Sequence, residues 1–172
     1  MNVILRILLF TLFLQIPLIA QADQRDYEHN SVTLPELKEK VDFSVLVPEK
    51  TPDDWTLEIK TYPMDAKKHF SYFRLHYYTD KTDPMRYVGI ELRKWTINFK
   101  KPITPNTEEI NINEKRGFFT AWGNSGEFDN KGELITGGVL RWAENGTLLE
   151  MDSSRIPKEM MLEIARSMKV LK

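Results

Sequence analysis

Tyr72, Arg74, His76 and Tyr78 alternate with Phe73, Leu75 and Tyr77, and Tyr87, Glu91, Arg93 and Trp95 repeat the same parity around Val88, Ile90 and Leu92. A period of two is that of strands with one buried face, so the first set of each stretch shares the opposite, outward side of a sheet. That side is both aromatic and charged. Flat rings with polar rims stack on sugars or anchor a protein partner, and Arg and Tyr are frequent at binding hot spots. The plainer reading of the same residues is that loops half-cover the rings and that Arg74 with Glu91 forms a cross-strand ion pair worth about 0.2–1 kcal/mol.

Other chemistry is thin. His29, His69 and His76 are scattered, none sits in an i, i+4 pair, and no His-Glu-x-x-His occurs, so a metal site is not expected. Gly123-Asn-Ser-Gly126 falls short of a Gly-x-Ser-x-Gly nucleophile elbow, and there is no Ser-x-x-Lys. In Asp129-Asn-Lys-Gly-Glu133, Lys131 would occupy a ligand position of a calcium loop and oppose the ion, so the segment reads as a turn. Carboxylates are plentiful, and a glycosidase needs two at the right separation, but no pair is marked. No cofactor is implied. The expected protein is not an enzyme; the alternative is a small secreted hydrolase acting on cell-wall or extracellular polymers through an unmarked acidic pair.

These residues need elements to position them. Thr33-Leu-Pro-Glu36 reads as a capping box opening a short helix to about Lys40. Phe43 to Val47 reads as a strand stopped by Pro48, and Trp55, Leu57 and Ile59 alternate as another. Strands Phe70 to Tyr78 and Arg86 to about Trp95 are joined by the turn-rich Thr79 to Pro84, short enough for antiparallel neighbours. Lys100 to Thr107 reads as loop, with short strands at Glu109 to Ile112 and Gly117 to Trp122. Asn145-Gly146 supplies the positive-φ pair of a type I′ hairpin between Val139 and Met151. That turn pairs Glu144 with Thr147, Trp142 with Leu149 and Leu140 with Met151 on one face, and Arg141 with Glu150 on the other.

An amphipathic helix closes the chain from about Pro157, with Met160, Met161, Ile164, Ala165, Met168 and Leu171 on one stripe. Its mixed charges favour packing on the sheet over a membrane surface or partner groove. The fold class expected is therefore α+β: an antiparallel β-sheet with a short N-terminal helix and a C-terminal helix packed on one face.

The first residues bound the compartment. Arg6, the apolar run Ile7 to Leu14, Pro17 and the Ala20-Gln21-Ala22 tripeptide form a signal peptide over 1–22, with Ala20 and Ala22 at the cleavage site. Residues 23–32 read as a flexible lead-in and 33–172 as a single domain. The alternative to cleavage is an anchor on the outer face of the cytoplasmic membrane, although Gln15 and Pro17 interrupt the run a spanning helix needs. The chain contains no cysteine, which removes a lipid-bearing thiol, disulfides and thiolate metal sites. Without the leader, 23 basic residues face 25 acidic ones, interspersed, a net charge of −2. That is no footprint for nucleic acid, and membrane contact would come only through an uncleaved leader.

Two stretches carry a resemblance. Lys40-Val-Asp-Phe-Ser-Val-Leu-Val-Pro48 followed by Pro52-Asp-Asp-Trp-Thr-Leu57 is similar to the opening, and Leu140-Arg-Trp-Ala-Glu-Asn-Gly-Thr147 with Lys158-Glu-Met-Met-Leu-Glu-Ile-Ala-Arg-Ser167 to the closing hairpin and helix, of an extracytoplasmic family of Gram-positive bacteria, domain of unknown function 4367. Asp54-Trp55 departs from the family's usual glycine-aromatic pair. The resemblance implies a secreted or lipoprotein-type cell-envelope domain, found in members that stand alone or extend larger extracytoplasmic proteins, some in anti-sigma-factor or sporulation contexts. It implies no catalytic residues. The expectation is a non-enzymatic binding or sensor-like accessory module with a protein or glycan partner at the cell surface.

Overall fold

The computed structural model describes residues 32–64, 66–78, 87–96, 102, 104, 106–122, 128, 132, 137–153 and 156–172. The leader, the lead-in up to residue 31, the connector 79–84 and the turns at 123–126 and 129–131 lie outside them.

Helix α1 (Leu34–Lys40) is opened by reciprocal bonds: the Thr33 amide donates to the Glu36 carboxylate at 2.7 Å while the Glu36 amide donates to the Thr33 hydroxyl. The Thr33 amide and then the Thr33 hydroxyl, both donating to the carboxylate, hold the Glu36 carboxyl below its usual range. Val32 and Leu37 occupy the staple positions before the cap and at the fourth helical residue, and both belong to the core assembly.

Strands β1 (Leu46–Pro48), β2 (Thr56–Tyr62), β3 (Tyr72–Tyr78), β4 (Tyr87–Lys94), β5 (Thr107–Ile112), β6 (Lys115–Ala121), β7 (Gly138–Glu144) and β8 (Thr147–Ser153) follow, then helix α2 (Lys158–Arg166) and strand β9 (Met168–Val170). Seven strands form one antiparallel sheet in the order β2-β3-β4-β8-β7-β6-β5, and β1 pairs with β9 in a second, two-stranded one. The sheet dominates, with two helices among the described residues, so the class is α+β.

Alternation fixes which side of the large sheet is buried. Phe73 and Leu75 on β3 and Val88, Ile90 and Leu92 on β4 are fully buried, and Tyr77 nearly so; burial pushes its phenol up to about 12. They join Leu140, Trp142, Leu149 and Met151 from the β7–β8 hairpin, Leu37 from α1, and Met161, Ile164 and Ala165 from α2 in one cluster. The hairpin has the register its turn demands: Glu144 opposes Thr147, Trp142 opposes Leu149, Leu140 opposes Met151 and Arg141 opposes Glu150. Asn145 (φ 49°) and Gly146 (φ 78°) take the two left-handed positions.

The closing segment departs from expectation. The helix stops at Arg166 instead of continuing through Leu171, because Ser167 caps it: the Ser167 hydroxyl donates to the Ile164 carbonyl at 2.8 Å. The Ser167 oxygens then accept from the amides of Glu49 and Lys50, and the Leu171 amide donates to the Val45 carbonyl. A helix would leave those edge groups of β1 unpaired, whereas a strand satisfies them. Met168 is buried by this route, while Met160 on the expected stripe is exposed. The first strand is correspondingly short, Leu46–Pro48 instead of Phe43–Val47, and Phe43 instead stacks on Phe73 with ring centroids 5.9 Å apart. β5 and β6 start two residues earlier than expected, meeting through a tight turn in which Asn113 (φ 48°) and Glu114 (φ 65°) are left-handed.

Candidate functional site

Tyr72, Arg74, His76 and Tyr78 do share the outward side with Tyr87, Glu91 and Arg93. The register aligns Tyr62, Tyr72 and Arg93 in one row, Lys60, Arg74, Glu91, Glu150 and Arg141 in the next, then Glu58, His76, Gly89 and Asp152, and finally Thr56, Tyr78 and Tyr87.

At one end Tyr62 and Tyr72 stack at 4.5 Å, nearly parallel, with the Arg93 guanidinium 5.9 Å from the Tyr72 ring. At the other, His76 stacks on Tyr87 at 4.9 Å, and the Tyr78 hydroxyl donates to Glu58 at 2.6 Å. Burial, that hydrogen bond and the nearby carboxylate together push the Tyr78 phenol well above its usual range.

Charges fill the middle. Arg74 hydrogen-bonds Asp152 and lies 4.0 Å from Glu91, Arg93 pairs with Glu91, and Arg141 Nε donates to Glu150 at 2.6 Å. Glu91 and Glu150 face each other across neighbouring strands, a repulsive pairing unless cations flank it, and Arg74, Arg93 and Arg141 do so. Asp152 is raised above the usual carboxylate range, first by burial and then by Glu150 and Glu91, against the pull of Arg74.

Arg74 reaches Asp152 by passing over β4 at Gly89. A methyl group there would lie 2.5 Å from the guanidinium, 3.0 Å from the Asp152 carboxylate and 3.2 Å from the Tyr87 ring. Sequence reasoning missed both Gly89 and Asp152. The signal was available for Asp152, since the hairpin parity that sends Glu150 outward sends Asp152 outward too.

His76 is only 8% exposed, and the side chains of Glu91 and Asp152 13% and 14%. The face is thus a stacked and ion-paired layer in which most polar groups already engage one another. Trp95 is not part of it. β4 ends at Lys94, and the Trp95 amide donates to the Gly146 carbonyl at 2.9 Å, turning the residue toward the hairpin tip.

There Trp95, 45% exposed, borders an open groove of about 550 Å³ whose lining includes Lys38, Asp42, Phe43, Lys94 and Asn145. Lys94 donates to Asp42 at 2.7 Å and holds its carboxyl below the usual range. The groove has well-tied walls: the Thr147 hydroxyl donates to the Ser44 carbonyl at 2.7 Å, and Leu171 bonds Val45. Its volume lies within the range of small-ligand sites, about 300–1,000 Å³. Sequence alternation could not find it, because its residues come from α1, the segment before β1, the end of β4, the β7–β8 turn and the C-terminal residues.

Among the described residues no group of three His, Cys, Asp or Glu side chains converges as a metal site, and no helix is long and apolar enough to cross a membrane.

A crystal structure from Bacteroides thetaiotaomicron VPI-5482 at 1.50 Å is similar at TM-score 0.38 and 11% identity, over 72% of this chain and 44% of that one. The chain therefore spans less than half of that protein. No curated protein matches the sequence. The family described as Domain of unknown function (DUF4367) matches residues 45–168, from just before β1 to the first residue of β9, and the chain belongs to that family.

Proposed function

We propose that this chain is a secreted, non-enzymatic binding module of the cell envelope, released by cleavage after Ala22, and that it takes a glycan in the groove beside Trp95. The groove carries the reading. An exposed indole offers a flat apolar surface to a sugar ring, while Asp42, Lys94 and Asn145 on its rim supply donors and acceptors for hydroxyl groups. The sheet face is the weaker candidate, because Arg74, Glu91, Arg93 and Asp152 are committed to each other.

Export is tested by the intact mass of natively expressed protein from medium and membrane. A chain starting at Asp23 in the medium supports secretion; full-length protein retained in the membrane contradicts it and makes the leader an anchor. The hydrolase alternative is tested on two part-buried carboxylates of the sheet face, Asp152 and Glu91. Turnover in a screen of peptidoglycan, glycan and peptide substrates that disappears with Asp152→Asn or Glu91→Gln would replace the binding reading by that one.

A further inference from the structure

The described lining of the groove beside Trp95 holds three charged side chains, Lys38, Asp42 and Lys94. Two cations against one anion leave it an excess of one positive charge. Lys94 donates to Asp42 at 2.7 Å, and that bond, with a smaller pull from His69, keeps the carboxylate ionised. Asp42 is therefore matched within the groove, and the excess resides on Lys38. Lys38 stands exposed in the last turn of α1, next to the fully buried Leu37 that fixes this turn against the core. Lys94 also has ammonium donors beyond the one that Asp42 takes. An indole stacks on a sugar ring with little regard to the ring's charge, so the charged lining is what sets which ring is preferred.

We propose that the groove prefers a glycan whose rings carry a carboxylate, a uronic-acid-type saccharide, and that Lys38 is the residue that selects the acid. This rests on the reading of the groove as a glycan site and adds to it the class of sugar. The ring carboxylate accepts from the Lys38 ammonium, a pairing of opposite charges that a neutral hexose or hexosamine cannot offer. One bound carboxylate balances the one excess charge. An acid on the ring itself lets a single unit use the indole and the cation together, whereas in a phosphodiester-linked polymer the charge lies between units.

The test is calorimetric titration of the protein as the cell processes it with tetramers of galacturonate, glucuronate and mannuronate. Each is run beside its methyl ester, which keeps the rings and removes the charge, and beside a mannose 6-phosphate oligomer. At least one acid tetramer is expected to bind about three- to tenfold more tightly than its ester at low ionic strength. The preference should shrink as salt rises, because the Lys94 and Asp42 side chains are 52% and 54% exposed and screening reaches the groove. Lys38→Gln should bring the acid down toward its ester, Lys38→Arg should retain the preference, and Lys38→Glu should reverse it, with Tm measured for each. An ester that binds as tightly as its acid, a preference that survives Lys38→Gln, or tighter binding of the phosphate oligomer overturns the proposal. If the binding seen in those cases, or binding of neutral glycans alone, is lost on Trp95→Ala, the glycan reading of the groove still stands. No binding of any glycan overturns both.

Discussion

Gly89→Ala should destabilise the fold by unseating Arg74. In a strand interior, glycine is normally the weaker residue, and alanine gains roughly 0.5–1 kcal/mol through the unfolded chain. Here the added methyl would sit 2.5 Å from the Arg74 guanidinium, against a comfortable separation of about 3.5 Å, so the guanidinium must withdraw by about 1 Å from Asp152. Losing one partner of a fully buried pair costs about 3–5 kcal/mol. With the two side chains 24% and 14% exposed, screening brings the figure to about 1–3 kcal/mol. Set against alanine's gain, the net loss is about 0.5–2 kcal/mol, which in a domain of this size lowers Tm by roughly 2–6 °C. Thermal and urea unfolding followed by circular dichroism measure it. A double-mutant cycle shows whether the route is right: in an Arg74→Met background the Gly89→Ala penalty should fall by at least about half. Unchanged or increased stability of Gly89→Ala, or an equal penalty in both backgrounds, would refute the reasoning.

Asp152 gives a pH dependence of definite sign. Its folded pKa is raised, so the folded state holds this proton more tightly; the contribution is greatest below about pH 4 and is lost as pH rises through the folded value. Wild type should lose stability relative to Asp152→Asn as pH climbs from about 4, measured by urea unfolding across pH; the reverse slope would mean that Arg74 outweighs burial. Alanine at Tyr72, His76 and Tyr78 together should lower Tm by roughly 5 °C or more, because it removes both ring stacks and the bond to Glu58; an unchanged Tm would return the sheet face to the list of free binding surfaces. Gly146→Ala should cost about 1 kcal/mol in urea unfolding, since its φ of 78° is strained for alanine, and no loss would contradict the type I′ geometry.

What local chemistry encodes was legible. The capping box at Thr33, the inward sets on β3 and β4, and the hairpin register from Asn145-Gly146 each follow from neighbours a few residues apart. What depended on remote partners was not. Met168 to Val170 has helical spacing with α2, and only the open edge of β1 converts it to a strand. Asn113-Glu114 lacks the glycine that marks a tight turn, so the β5–β6 hairpin went unread. Gly89 carries no pattern; its role exists because β3 and β8 lie on either side of β4. Trp95 shares the parity of Glu91 and Arg93, but parity lapses where β4 ends, and the backbone bond to Gly146 carries it to the groove.

The central claim is that the groove beside Trp95 takes a glycan. The direct measurement is binding of the mature domain to purified peptidoglycan and a panel of soluble glycans, with Trp95→Ala and Arg93→Ala in parallel and folding checked by Tm. The account predicts saturable binding to at least one probe, lost on Trp95→Ala at unchanged Tm and retained on Arg93→Ala. No binding to any probe, or binding that survives Trp95→Ala and disappears with Arg93→Ala, would contradict it.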